Sequence, residues 1–210
     1  MKVITGMKRH RSPLLSSEIM YLIFSPQWFV PDNIFIQDKL PHILKDPSYL
    51  ERHGMRVYVK SHDRLRPIDS NSIDWSEINR KNVPYRVVQS SGNLNALGRV
   101  KFIFPNRYSV YLHDTPDKKL FEKDLRAFSS GCIRIEKPVD MAEFLIGDKP
   151  GWDRAKVEQA MNRNHEQVVP LTEPMPIHII YLTSWVDKEG VLQFREDVYG
   201  YDHRYLKALY

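Results

Sequence analysis

The single cysteine of this 210-residue chain, Cys132, ends the run Ser129-Ser130-Gly131-Cys132. A buried structural cysteine usually has apolar neighbours, whereas the small residues before Cys132 leave its sulfur accessible. Gly131 permits a tight turn and lets another molecule approach the backbone closely. The run is therefore typical of a loop that presents a thiol, and a thiol becomes a useful nucleophile once it is converted to the thiolate.

Activation of this thiol requires a base or a cation nearby. His113 lies nineteen positions before Cys132, and Arg134 lies two positions after it. The backbone N–H groups of Gly131 and Cys132 could point at an oxyanion that develops during acyl transfer. Separation along the sequence does not establish spatial contact, so the residues alone leave two interpretations open, an activated nucleophile and an inert thiol.

The element that would position His113 can be predicted from the stretch VKFIFPNRYSVYLHD. Apolar residues alternate on both sides of a Pro-Asn turn, which predicts a β-hairpin. Its two strands would be Gly98–Phe104 and Tyr108–His113. The second strand would then carry His113 at its end, where the side chain is available to a site.

The remaining pattern is mainly β with a few helices, an α+β fold class. Alternating βα units are missing, which disfavours a doubly wound parallel sheet. A polar, turn-rich excursion runs from Ser61 to Asn82. The other predicted elements are strands at Lys2–Thr5, Ile19–Phe24, Arg56–Val59 and Tyr85–Gln89, short helical pieces between Asp32 and Arg52, helices that begin at Pro138 and Asp153, and a final hairpin of Ile177–Val186 with Val191–Phe194.

Composition excludes several classes of protein. The chain has 42% hydrophobic and 27% charged residues, which is ordinary for one soluble domain. No apolar stretch is long enough to cross a bilayer, and no secretory signal opens the chain. The net charge of +5 favours an acidic partner only mildly, and the motifs of nucleic-acid readers are absent from the sequence. One cysteine cannot form an internal disulfide, and it disfavours a cysteine-based zinc site.

The segments YLHDTP and RAFSSGCIRI together resemble the active-site signature of the L,D-transpeptidases (YkuD domain). That signature is a histidine, a spacer, and then Ser-x-Gly-Cys-hydrophobic-Arg. The similarity is closest to the large periplasmic Gram-negative members, which carry Phe-Ser-Ser-Gly-Cys. Many other members have a second histidine at the position of Ser130, so the departure leaves His113 as the base. The blocks YLIFSPQWFVP, LNALGRVKFIFPN and WVDKEGVLQFREDVYG extend the resemblance from Met1 to about Gly200.

The resemblance implies a single catalytic domain over residues 1–210, a β-sandwich decorated with helices. It also implies an inserted helical or loop capping subdomain at about residues 42–82. We expect this insertion to cover the acyl-enzyme, with Trp75 as an apolar contact. Composition alone is equally compatible with a static surface insertion.

The implied reaction is acyl transfer in peptidoglycan, with 3→3 cross-linking of meso-diaminopimelate residues. Cys132 would be the nucleophile and His113 the general base and acid. The backbone carbonyl of Asp114 would orient His113, and the N–H of Gly131 would stabilise the oxyanion. Tyr111 and Arg134 are candidates for substrate binding, although a half-buried strand aromatic and a structural ion pair are equally good interpretations. Ser129 and Ser130 would shape the loop or bind substrate.

The same resemblance implies no metal and no organic cofactor, and it implies peptidoglycan tetrapeptide stems as both donor and acceptor. Carbapenems would be covalent inhibitors, nucleic acid would not be a partner, and the location would be the periplasm or cell envelope. An L,D-carboxypeptidase, or an enzyme that attaches a protein amine to the wall, would use the same acyl-enzyme. A papain-like peptidase is disfavoured because the histidine precedes the cysteine here. A non-catalytic wall-binding module would have little use for the intact His and Cys pair.

Overall fold

The computed structural model describes residues 1–60 and 64–209 of the chain, and within them it contains thirteen strands in two sheets and a separate hairpin. The strands are β1 (Val3–Gly6), β2 (Leu15–Phe24), β3 (Trp28–Phe29), β4 (Met55–Lys60), β5 (Leu65–Ile68), β6 (Tyr85–Gln89), β7 (Val100–Ile103), β8 (Leu112–His113), β9 (Ala127–Ser129), β10 (Ile133–Ile135), β11 (Gln167–Ile179), β12 (Ser184–Val186) and β13 (Leu192–Phe194).

Few helices accompany these strands, and most are short. Six are α-helical, and none in the described part of the chain is long and apolar enough to span a bilayer. The helices are α1 (Asp32–Ile34), α2 (Leu40–Lys45), α3 (Tyr49–Arg52), α4 (Pro138–Ile146), α5 (Arg154–Met161) and α6 (Tyr201–Leu209), with a π-helical turn at Phe35–Lys39 and 3₁₀ turns at Ser70–Ser72, Trp75–Glu77 and Lys118–Glu122. The predicted α+β class is confirmed.

The larger sheet has seven strands in the order β11-β2-β7-β8-β10-β1-β9. Its apolar face packs against α4 and α5 around Phe24 and Phe102, which are fully buried. Pro138 at the first turn starts α4, and the Asp153 carboxylate accepts from Lys156 N at 2.8 Å to cap α5. This packing supports one face of the three central strands, β7, β8 and β10.

The smaller sheet has four strands in the order β3-β6-β4-β5 and a core of its own. Phe35 and Ile43 from the helical segment pack with Trp75 in this second core. The sheet includes residues before and after the predicted insertion at about 42–82, since β3 and β6 belong to it. The boundaries of the insertion stay a prediction, and the part of it at residues 61–63 lies outside the described residues.

The hairpin before His113 forms, but its second strand is shorter than predicted. Lys101 pairs with His113 across β7 and β8. The regular pairing begins only at Leu112, so residues 108–111 of the predicted strand are not part of β8. The amide side chain of Asn106 binds Phe104 O, Tyr108 N and both backbone groups of Val110 at 2.8–3.2 Å. These bonds occupy backbone groups that a longer ladder would need.

Strand β11 was not predicted where it lies. It begins at Gln167, ten residues before the predicted start at Ile177, and ends at Ile179, so only Ser184–Val186 joins the final hairpin. Three prolines in the segment, Pro170, Pro174 and Pro176, argue against a strand by propensity. They are tolerated because β11 is an edge strand with one unpaired side.

Candidate active site

Three neighbouring strands bring the candidate residues onto one face of the larger sheet. His113 on β8 pairs with Lys101 on β7 and with Arg134 on β10, so the three side chains form one row across the sheet. Parallel pairing of β8 with β10 places Tyr111 beside Cys132 in the next row on the same face, and Ile133 N donates to Tyr111 O at 3.1 Å.

A cleft of about 590 Å³ opens over these two rows. One side of its lining comes from the β3 region, including Trp28 and Phe29, and the other from the cysteine loop, including Ser130 and Phe128. Tyr111 packs against both hydrophobic cores, so the cleft lies where they meet. The five residues of the two rows, Lys101, Tyr111, His113, Cys132 and Arg134, all line it.

The loop before Cys132 is held in one conformation by its own polar groups. Gly131 has φ of +117°, a backbone conformation that would be strained in a residue with a side chain. Ser129 is buried, and its Oγ donates to the carbonyl of Cys132 while it accepts from Gly131 N at 3.1 Å. The Gly131 N–H that was predicted as an oxyanion donor is therefore bound to Ser129 in this structure.

A second set of contacts holds the same loop from outside the cleft. Ser12 Oγ donates to Gly131 O at 2.8 Å and accepts from Gly6 N at 2.9 Å. Tyr199 Oη in turn donates to Gly6 O at 2.6 Å and accepts from Ser12 N at 3.2 Å. The loop that presents the thiol is thus tied to β1 and to a residue near the end of the chain.

His113 is buried, with 5% of its surface exposed, and its orientation is fixed by its neighbour. Nδ1 lies 2.5 Å from the backbone carbonyl of Asp114. A carbonyl only accepts, so the proton is assigned to Nδ1 and the Nε2 lone pair is left to act as a base. This is the contact that the sequence analysis assigned to Asp114.

Asp114 is itself held by three contacts. Its N–H donates to Val100 O at 2.9 Å, and its carboxylate accepts from Arg99 N at 2.8 Å and pairs with Lys118. Gly98, with φ of +63°, leaves room for that carboxylate, since a Cβ there would lie 2.4 Å from Asp114. The carboxylate of Asp114 therefore has a structural role, while its carbonyl faces the histidine.

The electrostatic surroundings favour the neutral forms of both His113 and Cys132. Burial lowers the pKa of His113 from 6.5 to about 3, with a further decrease from the charge of Arg134. Burial raises the pKa of the Cys132 thiol, although the N–H and hydroxyl of Tyr111 and the charges of Arg134 and Lys101 oppose that increase. A neutral imidazole can accept a proton from a neutral thiol when the thiol attacks.

The burial of a neutral His113 predicts a specific loss of stability in acid. Between pH 6.5 and about 3 the unfolded chain binds a proton at this histidine that the folded chain does not, so stability falls as the pH falls. The free energy of unfolding in urea should therefore decrease more steeply in wild type than in His113→Gln, by up to about 1.4 kcal/mol per pH unit.

A matched control for this acid effect is His165→Gln, since His165 is exposed. That variant should keep the wild-type dependence of stability on pH. Identical pH dependence in wild type and His113→Gln would contradict the burial of a neutral imidazole.

Two of the three guanidinium nitrogens of Arg134 can be described by their surroundings. Nη1 lies 3.2 Å from the carboxylate of Asp117, which is not among the residues that line the cleft. Nε is buried and has no hydrogen-bond partner among the described residues. Both interpretations from the sequence, a structural ion pair and a substrate contact, are compatible with this arrangement, because different nitrogens would serve them.

The other predicted residues divide between the cleft and the fold. Tyr111, Ser129 and Ser130 all line the cleft, and the hydroxyl of Ser129 is also bound within the loop. Burial raises the pKa of Tyr111, and the negative charge that Cys132 carries when ionised would raise it further, so the Tyr111 hydroxyl remains a donor. Trp75 lies in the second core, where its ring packs against Phe35 and Tyr85.

The sequence analysis missed Lys101, Ser12 and Tyr199. Lys101 was treated as one residue of a strand, and its position next to His113 depends on the register of β7 with β8. Ser12 and Tyr199 are 187 residues apart in the chain. The alternation of the predicted hairpin could have placed Lys101 on the His113 face, but no local signal identifies the other two.

Across residues 1–60 and 64–209, no cluster of three or more His, Cys, Asp and Glu side chains could hold a metal.

Comparison with known proteins gives two consistent findings. The family model described as the L,D-transpeptidase catalytic domain (YkuD) matches residues 1–157. A protein of Haemophilus influenzae named "Putative L,D-transpeptidase" is 32% identical over 203 residues, which cover 97% of this chain. The chain spans 40% of the length of that relative.

Proposed function

This chain belongs to the L,D-transpeptidase family, and on that premise we propose that it forms 3→3 cross-links in peptidoglycan through a thioester on Cys132. The observation that supports this most is the arrangement of the cleft, in which the single thiol lies with a neutral, oriented His113 on one sheet face. The donor would be a tetrapeptide stem that ends in D-alanine, and the acceptor a second stem.

In the first half-reaction the thiol attacks the carbonyl between meso-diaminopimelate and D-alanine. Nε2 of His113 takes the thiol proton as the C–S bond forms. The tetrahedral intermediate then collapses, the C–N bond breaks, and the same proton passes to the leaving amine of D-alanine. The product is a thioester between Cys132 and the diaminopimelate carbonyl.

In the second half-reaction the side-chain amine of an acceptor diaminopimelate attacks the thioester. His113 takes a proton from that amine as the new C–N bond forms, the C–S bond then breaks, and the proton passes to the sulfur that leaves as the Cys132 thiol. Transfer uses an amine as the acceptor, whereas hydrolysis of the thioester uses water. Exclusion of water from the thioester therefore decides which of the two reactions follows. We propose that the predicted capping subdomain at about residues 42–82 contributes to that exclusion.

The oxyanion of both intermediates would be stabilised by the N–H groups of Gly131 and Cys132. Because Gly131 N currently donates to Ser129 Oγ at 3.1 Å, that hydrogen must be shared with the oxyanion or released to it. The Tyr111 hydroxyl is a further donor beside Cys132. Arg134 would bind a stem carboxylate through Nε, which has no hydrogen-bond partner among the described residues, and Ser130 would contact substrate from the cleft wall.

The proposed setting is the periplasm or cell envelope, as for the Gram-negative members with the same Ser-Ser-Gly-Cys run. Peptidoglycan stems would be the partners on both sides of the reaction. Carbapenems, which carry a strained acyl group, would acylate Cys132 in place of a stem.

Product analysis tests this function. Incubation with a purified disaccharide-tetrapeptide should give an intact-mass increase equal to the substrate minus D-alanine, followed by a dimer that contains a diaminopimelate–diaminopimelate bond. Sequencing of the dimer by tandem mass spectrometry identifies the bond. Release of tripeptide without any dimer would replace cross-linking by L,D-carboxypeptidase activity, and absence of any acyl-enzyme would contradict the proposal.

A further inference from the structure

The ammonium group of Lys101 makes no salt bridge in the part of the chain that the structure describes. Within residues 1–60 and 64–209, no carboxylate lies within 4 Å of it. It lies over the ring of Tyr111 instead, 5.7 Å from the ring centre, and it faces the cleft. A partly desolvated ammonium that is paired only with an aromatic ring has donors left for a ligand.

Lys101 and Arg134 flank His113 on its two sides. The first is its partner on β7 and the second its partner on β10. Arg134 contributes a buried Nε that no described residue engages. Two cations with unused donors therefore lie on either side of His113. The carboxylate of Asp117 pairs with Nη1 of Arg134 and not with Nε.

We propose that Lys101, acting with Arg134, forms a carboxylate-binding site beside the Cys132 thiol. The ligand is a carboxylate of the acyl donor, bound while the carbonyl of the same donor faces the sulfur. That the donor is a peptidoglycan stem rests on the proposed function, whereas the selectivity of the cleft for a carboxylate does not.

The charges around Lys101 are compatible with this role. Burial lowers the pKa of Lys101, while the negative charges of Glu166 and of a Cys132 thiolate oppose that decrease. Lys101 and Arg134 also lower the pKa of His113. A bound carboxylate offsets both positive charges, so it makes His113 a stronger base at the moment when a donor is present.

Two alkylating reagents of similar size distinguish a carboxylate site from a general effect on the thiol. Iodoacetate carries a carboxylate and iodoacetamide does not, and both react with the same thiolate of the only cysteine. Any change in the fraction of thiolate cancels in the ratio of their second-order rates. We expect Lys101→Met to lower the iodoacetate-to-iodoacetamide ratio about tenfold at low ionic strength, and Lys101→Arg to keep it near the wild-type value.

Lys188→Met is the matched control, since it removes the same charge from a side chain that is 89% exposed in the β12–β13 turn. It should leave the ratio unchanged. An unchanged ratio in Lys101→Met would overturn the carboxylate site, and equal decreases of both rates would assign to Lys101 only an effect on the thiolate. Because neither reagent is a stem peptide, a chain that passes this test and forms no cross-links would contradict the proposed function alone.

Discussion

Replacing Cys132 by alanine should abolish cross-linking and acylation while the protein stays folded. The substitution removes the only thiol of the chain, so no other sulfur can form the thioester. Loss of a nucleophile typically lowers turnover by at least about 10⁴-fold. The cost to stability should be about 1 kcal/mol or less, since one sulfur atom of a half-buried side chain is lost.

A carbapenem provides the direct measurement for this variant. Intact-mass analysis of wild type after incubation should show one added drug mass, and Cys132→Ala should show none. Ser90→Ala is the matched control, because Ser90 is exposed and lies outside the cleft. It should form the same single adduct as wild type. An adduct on Cys132→Ala, or cross-linking near the wild-type rate, would rule out Cys132 as the nucleophile.

The features of the site that could be predicted from the sequence are those that depend on residues close together in the chain. Small residues before Cys132 indicate a turn, and alternation in β7 and β8 places His113 near a strand end. These signals act over a few residues. The prediction for the Gly131 N–H shows the limit, because the acceptor it meets, Ser129 Oγ, depends on a side-chain rotation that the sequence does not specify.

The rest of the site depends on pairing between distant segments. Lys101 reaches His113 only because β7 and β8 pair in one register, and a shift by one residue would turn Lys101 to the opposite face of the sheet. The support of the cysteine loop by Ser12 and Tyr199 joins the two ends of the chain. Such contacts follow from the whole fold and not from any single element.

The fold shows the same division. The α+β class and the hairpin before His113 follow from periodicity. The edge strand β11 was placed too late because its prolines indicate a loop by propensity, and only its position at the end of the sheet order makes them acceptable. The short β3 carries too little pattern to be predicted, yet its Trp28 and Phe29 line one wall of the cleft.

The second large effect that we expect is the loss of acylation rate on replacing His113, and it follows from the neutral forms of His113 and Cys132. Because the pKa of His113 is lowered to about 3 and that of Cys132 is raised, the proposed mechanism requires the thiol to lose its proton during the attack itself. His113→Ala should therefore lower the rate of carbapenem acylation by about a hundredfold or more at neutral pH, the usual scale for a lost general base. His165→Ala, which removes an exposed imidazole, should have no such effect.

The pH dependence of this loss separates a base from a residue that only shapes the cleft. Hydroxide forms the thiolate directly once the pH passes the pKa of the thiol, and the base is then no longer required. Single-turnover acylation followed by intact mass from about pH 6 to about pH 10 should show that the gap between wild type and His113→Ala narrows as the pH rises. A gap that stays constant across this range would mean that His113 positions the loop and does not transfer the proton. A variant as fast as wild type at neutral pH would remove His113 from the mechanism.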